Sequence, residues 1–150
     1  MHKLKHFFSL FFMFILILVM SVSSLAANTS NTSFTNFLVD GNNEYRIPPR
    51  EKMDYSSHYF TYTGGPVTLG VVSYGTRVNT VIGGTNVTCS NGQAVTYVAC
   101  RRGTQYNVHN FVKEQGYSWA SLGLTALGMP GEISGVWSPD SYGTYISARP

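Results

Sequence analysis

Apolar and polar residues alternate over much of the chain beyond position 32, the period-two signature of half-buried strands. Ser33-Phe34-Thr35-Asn36-Phe37-Leu38-Val39 opens the pattern, and Asp40-Gly41-Asn42-Asn43 ends it with turn residues. His58-Tyr59-Phe60-Thr61-Tyr62-Thr63 resumes it, Gly64-Gly65-Pro66 turns the chain, and Val67-Thr68-Leu69-Gly70-Val71-Val72-Ser73-Tyr74 supplies the next strand. Further strands are predicted at 78–82, 86–89, 94–101 and 105–113, punctuated by Gly83-Gly84, Ser90-Asn91-Gly92 and Gly103. The stretch 44–57 is charged, carries Pro48-Pro49 and shows no period. Neither proline has an amide hydrogen to give a ladder, so this is an exposed loop or a sheet edge.

Residues 117–127 fit two patterns. As a strand, Ala120, Leu122, Leu124 and Ala126 share one face. As a helix, Ser118 caps the start and Gly128 and Pro130 end it. A mid-helix Gly123 would cost about 1 kcal/mol relative to Ala, and the surrounding strands favour the first reading. Glu114-Gln115-Gly116 is then the turn before it. Short strands with frequent turn signals predict an all-β domain over 33–150, an antiparallel β-sandwich or partly open barrel of about six to nine strands.

The first residues follow a different rule. Met1-His2-Lys3-Leu4-Lys5-His6 is basic, Phe7 to Met20 is apolar but for Ser9, and Ser21-Val22-Ser23-Ser24-Leu25-Ala26-Ala27 is mostly small. That order is a secretory signal peptide over 1–26, cut after Ala26 or one residue later. Fourteen residues of apolar run fall short of the roughly 20 that span a bilayer core, so no membrane span is expected once it is removed. An uncleaved anchor is the alternative. Ala27-Asn28-Thr29-Ser30-Asn31-Thr32 is small and polar, a flexible leader. The expected location is extracellular.

Ten Lys and Arg, less Lys3 and Lys5, face seven Asp and Glu, leaving one net positive charge beyond the signal. Nucleic acid or anionic lipid needs clustered cations. Only Arg101-Arg102 and the group Arg46, Arg50, Lys52 come close, and Glu44, Glu51 and Asp54 interleave with the latter. Nucleic acid is not an expected partner.

Cys89 and Cys100 are the two cysteines, and in an exported chain the pair reads as a disulfide worth roughly 3 kcal/mol. A tight Asn91-Gly92 hairpin running on to Cys100 would hold the thiols too far apart for it. The bridge is favoured, with two free thiols the alternative. His58 and His109 stand alone, without the convergent ligands a zinc site needs, and no cofactor is expected. A nucleophile pair of Cys89 or Cys100 with His109, a triad of Ser141, His58 or His109 and Asp140, and a carboxylate pair among Glu114, Glu132 and Asp140 all lack a local motif. Gly83-Gly84-Thr85 and Gly64-Gly65 lack the Lys and helix of a phosphate loop. No catalytic residue is assigned.

Tyrosine is abundant, ten residues with none in the signal. Such rings fill a core or make a platform for sugar or protein. The most specific pattern is Ser134-Gly135-Val136-Trp137-Ser138-Pro139-Asp140-Ser141. Pro139 sets a type I turn, Asp140 offers its carboxylate to nearby amides and Trp137 anchors the turn on the core. This motif of Gly135, Trp137, Ser138, Pro139, Asp140 and Ser141 resembles the end of a family of small secreted proteins of Gram-positive bacteria, classed only as a domain of unknown function. Asn31-Thr32-Ser33-Phe34, Tyr45-Arg46 and Asn110-Phe111-Val112-Lys113-Glu114-Gln115-Gly116-Tyr117 extend the likeness. It implies export and a compact fold, with no activity to carry over. The favoured function is non-enzymatic, surface-mediated binding outside the cell, to an envelope component, glycan or protein. A bacteriocin-like antagonist is the alternative, and a small hydrolase comes last.

Overall fold

The computed structural model describes residues 27–150; the signal segment expected over 1–26 lies outside the described residues. Thirteen strands follow in order: β1 (Thr32–Val39), β2 (Tyr45–Arg46), β3 (Arg50–Glu51), β4 (His58–Thr63), β5 (Thr68–Thr76), β6 (Thr85–Asn86), β7 (Cys89–Ser90), β8 (Gln93–Ala94), β9 (Val98–Arg101), β10 (Tyr106–Val108), β11 (Trp119–Ala126), β12 (Gly131–Ser138) and β13 (Ile146–Ser147). The chain is all-β among the described residues, as the alternation predicts. One sheet runs β1-β12-β4-β10-β13, and a second runs β2-β11-β5-β6 with β3 on β11 and β9 on β5. All pairings are antiparallel except β10 with β13.

The two sheets share one core. Phe34, Phe60, Tyr62, Ile133 and Trp137 from the first meet Leu69, Val71, Leu122, Leu124 and Cys100 from the second. Strand parity explains most of it. Leu69, Val71 and Ser73 point inward on β5, and Ala120, Leu122, Leu124 and Ala126 point inward on β11. β1 breaks parity, burying both Phe34 and Val39. The register shifts between Phe34 and Phe37, and Asn36 there takes φ 57, a bulge that flips which residues face in.

Two expectations are corrected and one strand is added. Residues 78–82 form no strand, and Val78 and Ile82 are exposed. β12, a strand not predicted from the sequence, is central in its sheet, between β1 and β4. Gly135 permits this by letting Phe34 and Tyr62 close on it from either side, as an added Cβ would meet Tyr62 Cα at 2.9 Å. Arg50 donates to Asn28 Oδ1 at 2.5 Å and to Ser30 Oγ at 2.6 Å in the leader. No Cys89–Cys100 disulfide forms; both thiols are free and buried. Asn91 (φ 51) and Gly92 (φ 74) make a two-residue turn that sets Cys89 opposite Ala94, while Cys100 pairs with Leu69. Positive φ at both turn residues suits Asn-Gly and matches strand twist, so the tight hairpin prevails over the bridge.

Gly135→Ala is expected to lower stability by about 1–3 kcal/mol through overpacking. Gly41→Ala, whose Cβ has only an ordinary 3.6 Å neighbour, serves as a near-neutral control. Urea unfolding of the two variants checks it; equal midpoints would contradict the packing account.

Candidate functional site

β12 delivers Pro139, Asp140 and Ser141 to a place where the leader, the segment after β3, and the start of β4 meet. Asp140 is fully buried. Its Oδ1 accepts from Lys52 Nζ at 2.6 Å, and its Oδ2 accepts the amide hydrogens of Asn28 at 2.6 Å and Met53 at 3.1 Å. Asp140 therefore takes amides remote in sequence, rather than those of its own turn. Lys52 is equally buried, with Asp54 Oδ1 3.5 Å from its Nζ. The Ser138 hydroxyl reaches the carbonyls of Asn28 and Asp140, and the Ser141 amide donates to Ser56 Oγ at 2.9 Å.

His58 completes the cluster. Its Nδ1 lies 2.7 Å from the Pro139 carbonyl and its Nε2 2.7 Å from Ser73 Oγ. A carbonyl only accepts, so Nδ1 carries the proton and Nε2 takes the Ser73 hydroxyl. Burial, and then the Lys52 charge, push His58 down to about 3, against the Pro139 bond. Trp137 stands edge-on to it at 6.0 Å.

This Ser–His contact is not a nucleophile site, since both residues are fully buried and so weak a base activates nothing. The triad weighed from sequence does not assemble: the His58 nitrogens go to Pro139 and Ser73, and the Ser141 hydroxyl goes to Asn107 Oδ1 at 3.2 Å. His109 lies between Ser57 Oγ at 2.8 Å and Ser147 Oγ at 3.0 Å. It shares a cleft of about 280 Å³ with Cys89 and Glu114, but both its nitrogens are taken. Burial and Glu114 raise the Cys89 thiol, the reverse of an activated thiolate. Glu132 stands on β12 opposite Leu38, away from Glu114 and buried Asp140. Among the described residues, no three His, Cys, Asp or Glu gather as a metal would need, and no helix is long and apolar enough to cross a membrane.

A different surface forms an open groove. On the outer face of the second sheet, a groove of about 280 Å³ is lined by Glu44, Tyr74, Asn86, Tyr97, Thr125 and Leu127, among others. Glycines make it concave: an added Cβ on Gly70 would meet Leu127 at 3.3 Å and Tyr97 at 3.5 Å. Tyr97 is 39% exposed. Glu44 is fixed by Arg46 Nε at 2.7 Å and by the Tyr74 hydroxyl at 2.9 Å. The Arg46 guanidinium lies 3.2 Å over the Tyr74 ring, a cation–π contact that holds both side chains.

The sequence profile of a family described as proteins of unknown function, DUF2712, matches residues 22–141. The chain belongs to that family. No curated protein and no solved structure matches it. The DUF2712 match closes on Ser141, so it takes in every residue of the C-terminal motif and the partners that motif buries. In this DUF2712 chain the motif serves as a clasp. Lys52, Ser73 and Asn28 escaped the sequence reading, because a lysine among mixed charges and a serine on a strand carry no local mark.

Two measurements check the cluster. His58 has a folded pKa below its ordinary 6.5, so its contribution is present above pH 6.5 and is lost as pH falls toward 3. Unfolding free energy is expected to drop by up to about 1.4 kcal/mol per pH unit in that window. Urea midpoints at pH 7, 6 and 5.5 test it above the range where the carboxylates titrate; a flat profile contradicts it. Thiol titration without reductant is expected to find Cys89 and Cys100 unreactive in the native protein and both reactive in denaturant.

Proposed function

We propose that the chain is a protein of a Gram-positive bacterium, exported on the signal over 1–26, that works outside the cell as a non-enzymatic binding domain. Its ligand is a saccharide held in the groove on the outer face of the second sheet. The groove itself carries this reading. Sugar rings present apolar C–H faces and a rim of hydroxyls, and the surface that suits them combines an accessible aromatic ring with fixed polar groups.

Tyr97 supplies the ring and Leu127 flanks it. Glu44, already held from two sides, keeps carboxylate lone pairs for sugar hydroxyls. Asn86 is likewise fixed, donating to the Thr96 carbonyl at 2.8 Å and accepting from the Thr88 amide at 2.9 Å. Such preorganisation lowers the ordering cost of binding. The antagonist reading rests on export and size alone, and nothing in the fold adds to it.

Retention of the secreted protein on purified cell walls and insoluble polysaccharides tests the proposal. Tyr97→Ala is expected to weaken retention about tenfold, the ~1.4 kcal/mol scale of one aromatic anchor, with its unfolding midpoint unchanged. No retention on any of these, or equal retention of the variant, sinks the reading.

A further inference from the structure

Lys52 and Asp140 are placed for a reaction with each other. Nζ stands 2.6 Å from Oδ1, and both side chains are wholly shielded from solvent. The other carboxylate oxygen, Oδ2, already accepts two backbone amides, Asn28 and Met53. Two amides aimed at one oxygen polarise the carboxyl carbon and stabilise the oxyanion that forms when a nucleophile adds to it. Asp54 Oδ1, 3.5 Å from Nζ, is a third group in reach of the moving proton.

Hydrogen-bond accounting points the same way. A lysine ammonium has three donors. Lys52 finds one close acceptor and one at 3.5 Å, an incomplete set for a buried cation. An amide nitrogen in its place would carry one hydrogen, with Asp54 to receive it, while the carbonyl oxygen keeps the Asn28 and Met53 bonds.

We propose that Lys52 and Asp140 condense to an intramolecular isopeptide bond. The ammonium first passes one proton to Oδ1, giving an amine and a carboxylic acid, the neutral pair a low-dielectric interior favours. The Nζ lone pair then adds to Cγ, and the electron pair of the C=O bond moves onto Oδ2 under the two amides. Asp54 takes a second proton from nitrogen and hands it to Oδ1. The Cγ–Oδ1 bond breaks, water leaves, and Oδ2 becomes the amide carbonyl. An ammonium and a carboxylate thus give one amide and one water, with no oxidant, metal or co-reactant. Fixing the two groups in contact supplies the effective concentration that the step requires. Asp54 is placed for the shuttle by geometry: its Oδ1 is fixed by the Ser56 amide at 2.8 Å and hydroxyl at 2.5 Å and stands 3.5 Å from Nζ. The water has an exit, because Asp140 borders a cleft of about 250 Å³ lined by Ser141 and Tyr142.

Mass spectrometry of the exported wild-type protein, denatured and digested with trypsin, tests the bond. The expected product is peptide 51–77, uncut after Lys52, joined to peptide 114–150 at a mass one water below their sum. Lys52→Arg keeps a cation in place and is expected to give separate peptides at full mass. Asp54→Asn is expected to leave a large fraction of chains uncrosslinked. Separate peptides in the wild type overturn the proposal, as does loss of water in Lys52→Arg. Crosslinking of Asp54→Asn as complete as the wild type's would overturn the part given to Asp54.

Discussion

A buried carboxylate must replace the water it has lost, and Asp140 does so with donors from parts of the chain far apart in sequence: Asn28, Lys52 and Met53. That requirement organises one end of the sandwich. The leader cannot leave without taking one of the two amides from Oδ2, and the segment after β3 cannot leave without stranding a charge in the interior. Breaking such a pair from one side costs about 3–5 kcal/mol. Pro139 adds His58 through its carbonyl, and His58 reaches across the core to Ser73 on the second sheet. One short motif thus ties both sheets and the chain's beginning to its end.

This arrangement leaves the titratable cluster buried and the groove exposed. Asp140 is engaged by Lys52, Asn28 and Met53, and His58 by Ser73 and the Pro139 carbonyl, all out of reach of solvent. The outer face of the second sheet is opposite in character, with small residues on the strands and larger side chains arching over them. Gly70 lies there under Tyr97 and Leu127, whereas Gly75, on the inward face opposite Ala120, lies under Tyr117. Glycine is unfavourable in a strand interior, but here each one makes room for a side chain from a neighbouring element.

Much of the fold was legible because period two is a strong signal where one strand face is apolar. β4 was bounded correctly, and β11 showed its inward face in Ala120, Leu122, Leu124 and Ala126. β12 was missed because Gly131, Ser134 and Gly135 dilute its alternation, and its partners β1 and β4 are remote in sequence. Residues 78–82 misled by composition: Val78, Val81 and Ile82 have strand-forming side chains, but no neighbouring strand receives them. The cysteine pairing turned on compartment statistics, whereas local turn chemistry at Asn91-Gly92 decided it. The motif was visible as a pattern, yet its work was not. Nothing near Asp140 in sequence says that Lys52 will meet it, since the contact spans 88 positions.

The clasp and the groove are not independent, and the segment between them shows why. β2 and β3 are two residues each, separated by Pro48-Pro49, and both lie along β11. So short an edge cannot hold itself, although the Ile47 and Lys52 amides add bonds to Leu122 and Ser118 carbonyls at 2.9 Å each. Lys52, at one end, is locked under Asp140. Glu44 and Arg46, at the other, fix the polar rim of the groove against Tyr74. The clasp therefore limits how far the rim can drift, and any covalent link at Lys52 would tighten that limit without touching the groove.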